Sequence, residues 1–197
     1  VKLGEAKRKA RSHRDLLEAH PFCIFCGGTS LATTIEHTPP RVMFRGKQRP
    51  NELIFPSCQS CNSGTARSDL VASLLGRTYP NADAIDEADL KKVLAAVKNN
   101  VPGLLEEMRV SDAKQIRGRR QMPGMPADGW LLRADGPILT AHMTAFGAKL
   151  GLALHFEAHE RAVPNSGGVQ PIWFSNAQAV RARFPLICSR CFPSRAR

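Results

Sequence analysis

The apolar positions of this chain fall into long helical stretches separated by short β-branched runs. Ile138 to His159 is rich in Ala and Leu and predicts a buried helix. Ile85 to Asn100 puts Leu90, Val93, Leu94 and Val97 on one helical face. Leu70, Val71, Leu74 and Leu75 form another such face. Its helix enters at Asn62-Ser63-Gly64-Thr65, with Asn62 or Thr65 as cap, and ends at Gly76. Leu16, Leu17 and Ala19 make the end of the first twenty residues helical. Leu104 to Val110 starts a helix after the break at Val101-Pro102-Gly103, and Ser175 to Phe184 is a last short one. Strand-like runs are shorter: Leu31 to Ile35, Leu53 to Phe55, Trp130 to Leu132 and Ile172 to Phe174. Residues 113–128 are basic and carry Met122-Pro123-Gly124-Met125-Pro126, which predicts a mobile loop.

Together these elements predict an α+β protein in three parts. Residues 1–20 form a basic helix or arm. Residues 21–78 form a small mixed unit, and 79–197 a mainly helical region that begins at the Tyr79-Pro80-Asn81 break.

Charge narrows the class of partner. The 197 residues carry 28 Lys and Arg against 17 Asp and Glu, a net charge of +11. A protein this basic is expected to meet a polyanion, nucleic acid first. A merely basic surface is the plain alternative. The segment 81–112 is net acidic and is not expected to touch nucleic acid. No apolar run is long enough to span a membrane. The charged N-terminal residues lack the apolar stretch of a secretory leader. The expectation is a cytoplasmic protein.

The cysteines bring in chemistry. All six fall in Cys-x-x-Cys pairs: Cys23 and Cys26, Cys58 and Cys61, Cys188 and Cys191. In a chain of this length without a leader, such pairs point to metal rather than to a disulfide framework. The first two pairs can complete a tetrahedral four-thiolate zinc site. Reduced core cysteines are the alternative. Such a staple would pin Glu36, His37 and Asn62 near one another, residues whose chemistry suits a divalent-metal phosphodiesterase. His155 and His159 share a helical face and, with Cys188 and Cys191, could form a second zinc site. A disulfide or free thiols would account for that pair equally.

Residues 20 to 76 resemble the HNH endonuclease family, whose small core is the ββα-metal fold. The resemblance rests on Glu36-His37 after a short strand, the quartet Cys23, Cys26, Cys58 and Cys61, and Asn62 directly after the last cysteine. In two places the chain departs from the family pattern. Glu36 stands where Asp is commoner, and no His lies between His37 and His142, so Asp69 is the best substitute for the family's final His. The resemblance implies that His37 acts as general base on a water. It implies a divalent ion, Mg2+ or Mn2+, held by Glu36 and Asn62, with Asp69 as a candidate third ligand. Such a metal would contact a phosphate oxygen and the leaving 3′ oxygen. Arg41, Arg45, Lys47 and Arg67 are candidates for phosphate contact, and the expected substrate is double-stranded DNA. The alternative is a zinc-ribbon nucleic-acid-binding protein without catalysis.

Overall fold

The described residues form a two-stranded antiparallel sheet and a set of helices, a mixed α+β architecture. The computed structural model describes residues 5–49, 53–78, 84–121 and 131–173, with the backbone alone at 5–11, 47, 84 and 117–121. The helices are α1 (Glu5–Ala19), α2 (Gln59–Gly64), α3 (Ala66–Gly76), α4 (Ala84–Asn100), α5 (Leu104–Met108), α6 (Asp112–Gln121) and α7 (Pro137–His159). The strands are β1 (Thr34–His37) and β2 (Ile54–Ser57), and they pair with Thr34 opposite Ser57 and His37 opposite Ile54. Pro56 lies in β2 opposite Ile35. A ribbon of two edge strands tolerates its missing N–H.

Two apolar clusters hold these elements. The larger joins Val71 and Leu74 of α3 to Val93 and Val97 of α4, Leu104 and Met108 of α5, and Leu139 of α7. The apolar face foreseen in α4 is the one that is buried. The smaller cluster joins Ile24 and Phe55 to Ala153 and Phe156 of α7. The long C-terminal helix therefore packs on the cysteine-bearing segment as well as on the other helices.

Polar groups complete the frame. Arg77, only 2% exposed, donates from Nε to the Val42 carbonyl at 2.7 Å and from Nη2 to the Phe44 carbonyl. Its Nη1 lies 3.2 Å from Asp89 Oδ2 of α4. One guanidinium thus ties the segment after β1 to two helices. The N-terminus of α7 has no capping side chain of its own. Glu107 of α5 serves instead, accepting from Ile138 N at 2.9 Å and Leu139 N at 2.8 Å. A carboxylate is favoured there because the first N–H groups of a helix have no partner within it.

Several expectations change. Residues 112–121 are helical, not a loop. The first proline of the tract is Pro123, beyond the helix, and Gln115 fastens the helix by bonding both the Leu131 carbonyl and the Leu131 N–H. That same pairing occupies the backbone of Leu131, so 131–132 form no strand. Residues 172–173 are irregular too, with Trp173 packed against the larger cluster. Leu31 forms an isolated bridge with Phe22, outside β1. Asn62 is no cap: α2 begins after an extended Cys58, and Asn62 N–H donates to the Cys58 carbonyl at 3.0 Å inside the helix. Thr65 precedes α3 without a side-chain cap bond. The break at 79–81, the tract 122–128 and the helix at 175–184 lie outside the described residues.

Candidate functional site

The four cysteines of the first two pairs converge. Cys23 and Cys26 flank the single turn Ile24–Cys26, and Cys58 and Cys61 flank the entry of α2. Gly27 and Gly28 follow at φ 63° and 80°, a left-handed pair that only glycine adopts without steric cost. This turn lets Gly28 N–H reach the Cys23 carbonyl at 3.0 Å. The four Sγ atoms all lie within 4.8 Å of one another, and no disulfide joins them. Burial pushes the Cys23 and Cys61 thiols up. At Cys58 the Ser60 hydroxyl, 3.2 Å from Sγ, brings the thiol down to about 6. At Cys26 burial is outweighed by hydrogen bonds from Thr29 and Ser30, and the thiol is lowered. Such a cluster could hold a metal ion such as zinc, which binds thiolates. Among the described residues it is the one group of three or more His, Cys, Asp or Glu placed to do so.

Beside this cluster, β1 ends at an open cleft of about 380 Å³, lined by His13, Ile35, Glu36, His37, Pro40, Arg41 and Asn62. Its parts come from α1, β1, the turn at Arg41–Met43 and α2. The Asn62 amide nitrogen donates to Thr34 Oγ1 at 3.1 Å and to the Ile35 carbonyl at 3.3 Å. It thereby fastens α2 to the strand just ahead of Glu36 and His37. The Arg41 Nη2 stands 3.1 Å from His37 Nε2. A guanidinium can only donate, so a hydrogen bond here needs Nε2 as its acceptor. The His13 ring meets the His37 ring edge-on, with centroids 6.2 Å apart.

Glu36 is turned inward. Its Oε1 accepts from His37 N–H at 2.8 Å and lies 3.1 Å from Lys149 Nζ. The same ammonium lies 2.6 Å from Asp69 Oδ2. All three residues are nine-tenths buried or more. Two carboxylates against one ammonium leave a net negative charge when all are ionised. Burial raises both carboxyl groups above their usual range, and Lys149 opposes this in each. The second oxygens, Glu36 Oε2 and Asp69 Oδ1, are buried with no hydrogen-bond partner among the described residues.

A hard divalent cation needs oxygen donors. Glu36 offers the unpartnered Oε2. Asn62 has spent its NH2 on the strand, so the group it can offer a ligand is its carbonyl oxygen. Glu36 and Asn62 line one cleft, so this carboxylate and this amide oxygen are the donors a hard cation would use there, once the buried Oε2 turned outward. Asp69 is placed differently. It lines a separate cleft with Val42, Ala66, Arg67, Leu70 and Asn100, and its Oδ2 is held by Lys149.

The remaining candidates are spread out. Arg45 Nε lies 3.8 Å from Asp86 Oδ1. Lys47 belongs to the turn Arg45–Lys47, and its side chain lies outside the described residues. Arg67 is exposed in the Asp69 cleft. The His155 and His159 rings are 4.6 Å apart, while Cys188 and Cys191 lie outside the described residues. Sequence reasoning overlooked Lys149 and His13. The signal for Lys149 was present: it is the sole Lys or Arg in an otherwise apolar helix. Compared with protein-family models, curated proteins and solved structures, the chain matches none.

Proposed function

We propose that this chain is an HNH-type, zinc-stapled endonuclease that hydrolyses phosphodiester bonds of DNA. The observation that carries the reading is the His37 imidazole, 3.1 Å from Arg41 Nη2, in a cleft shared with Glu36 and Asn62. Hydrolysis of a phosphodiester needs a base for water, a partner for the phosphate charge and a stabilised leaving oxygen. His37 supplies the base. Arg41 rests on Nε2 in the free protein, and a phosphate entering the cleft draws the guanidinium to itself. That movement frees the Nε2 lone pair to take a proton from water. Glu36 and Asn62 would hold a divalent cation, Mg2+ or Mn2+, which would neutralise charge on the phosphate and on the leaving 3′ oxygen. Asn62 also keeps the strand carrying His37 in place.

In this reading the four cysteines bind structural zinc, β1, β2 and α2 form a ββα-metal core, and the net charge of +11 serves double-stranded DNA. Reduced thiols suit a cytoplasmic setting. No helix among the described residues is long and apolar enough to cross a membrane. A second reading, a zinc-ribbon nucleic-acid-binding module without catalysis, draws on Lys149, which already supplies a cation to Glu36.

Nicking of supercoiled plasmid with Mg2+ or Mn2+ decides between them. The nuclease reading expects nicking by the parent and none by His37→Ala, with zinc content and DNA binding retained. Excess metal should not rescue that variant, since no cation replaces a proton acceptor. A pure, zinc-loaded parent that binds DNA and never nicks it leaves the binding module.

A further inference from the structure

Lys149 stands where a lysine is costly. The buried residues of α7 are Leu139, Phe146, Lys149, Ala153 and Phe156, so the ammonium rises from the apolar stripe of the helix. A Leu or Met on that stripe would pack with its neighbours and need no counter-charge. The lysine is instead matched to two acids from two other elements. Glu36 comes from β1 and Asp69 from α3, at 3.1 Å and 2.6 Å from Nζ. Each acid keeps one buried oxygen without a partner. The ammonium therefore takes one oxygen of each acid and, with both acids ionised, leaves a surplus negative charge behind.

We propose that Lys149 is an internal cation that sets the metal affinity of the cleft, holding Asp69 for itself and leaving a divalent ion only Glu36 and Asn62. This rests on the metal-dependent reading above. An ammonium so near Glu36 repels any second cation at that carboxylate and is screened little in the interior. The divalent ion is therefore held weakly in the free protein. A phosphodiester entering the cleft brings a negative charge and supplies the missing attraction. Metal and nucleic acid therefore load together. Lys149 is thus a positioning residue, acting through Glu36 and Asp69 rather than on the substrate.

The test is Mn2+ binding to the full-length, zinc-loaded protein, read from the electron paramagnetic resonance signal of free Mn2+. Lys149→Met and Lys149→Gln should each bind Mn2+ more tightly than the parent, by about 10–100-fold, the range in which neighbours of metal ligands act. The gain should vanish in Lys149→Met/Asp69→Asn, because Asp69 becomes a ligand once the lysine is gone. Lys149→Arg keeps the charge and should show no gain. Unchanged or weaker Mn2+ binding in both Met and Gln variants overturns the proposal. If those variants lose their fold, refolding on addition of Mn2+ supports it. A chain that stays unfolded with Mn2+ overturns it, since Lys149 would then serve the fold alone.

Failure here is separable from failure of the nuclease reading. A parent that nicks plasmid while Lys149→Met gains no Mn2+ affinity keeps the nuclease and removes this role for the lysine. A parent that neither nicks nor binds Mn2+, beside a Lys149→Met that does bind it, keeps the role and removes the nuclease.

Discussion

Asn62 has two proposed duties, and one substitution separates them. Its amide nitrogen donates to Thr34 Oγ1 at 3.1 Å and to the Ile35 carbonyl at 3.3 Å, while its carbonyl oxygen is the proposed metal donor. Asn62→Ala removes both. Two half-buried neutral hydrogen bonds are worth about 0.5–1.5 kcal/mol each, so a loss of about 1–3 kcal/mol of stability is expected. Asn62→Asp is nearly isosteric but has no donor. Thr34 cannot turn round to supply one, because its hydroxyl already donates to the Ser57 carbonyl at 3.0 Å. The new carboxylate would also face the Ile35 carbonyl. Asn62→Asp should therefore cost at least as much stability as Asn62→Ala. Yet a carboxylate is a better donor to a hard cation than an amide, so its Mn2+ affinity should equal or exceed the parent's. Urea unfolding under saturating zinc measures the first effect, and Mn2+ titration the second. The expected pattern is lower stability, retained metal and slower nicking. An Asn62→Asp protein as stable as the parent refutes the argument that this amide holds the strand.

Other expectations follow from the same geometry. Replacing Cys58 with Ser should abolish metal binding at the four-cysteine cluster and unfold the segment around it, because ligand loss removes folding free energy. Zinc analysis and circular dichroism test this, and a folded, metal-free variant would contradict it. Phe156→Ala empties the cluster formed with Ile24, Phe55 and Ala153 and should cost about 3–5 kcal/mol in denaturant unfolding. A loss under about 1 kcal/mol would mean that α7 is not held there by packing. DNA affinity should fall steeply with salt, since each neutralised phosphate releases counterions. Removing residues 1–14 should flatten that slope, and an unchanged slope would place the contacts elsewhere.

Local chemistry was determined by the sequence alone. Two Cys-x-x-Cys pairs foretell a thiol cluster, because each brings two thiols together locally and zinc-type sites take two such pairs. A repeating apolar face sufficed for α4, and length with Ala and Leu content for α7. Adjacency in sequence placed Glu36 beside His37, and the Cys58–Asn62 spacing set Asn62 within reach of the strand. Groups whose meaning lies in a partner far along the chain were decided by tertiary structure. Lys149 reads as the one Lys or Arg of a largely apolar helix until α7 folds across β1 and α3 and sets its ammonium between Glu36 and Asp69. Arg77 is one more basic residue until three elements surround it. Residues 113–121 read as loop until Gln115 finds the Leu131 backbone. Charge pairs and single anchoring amides carry no period, so the linear pattern does not announce their partners. They form because burial makes an unpaired charge or an unpaired N–H too costly to leave alone.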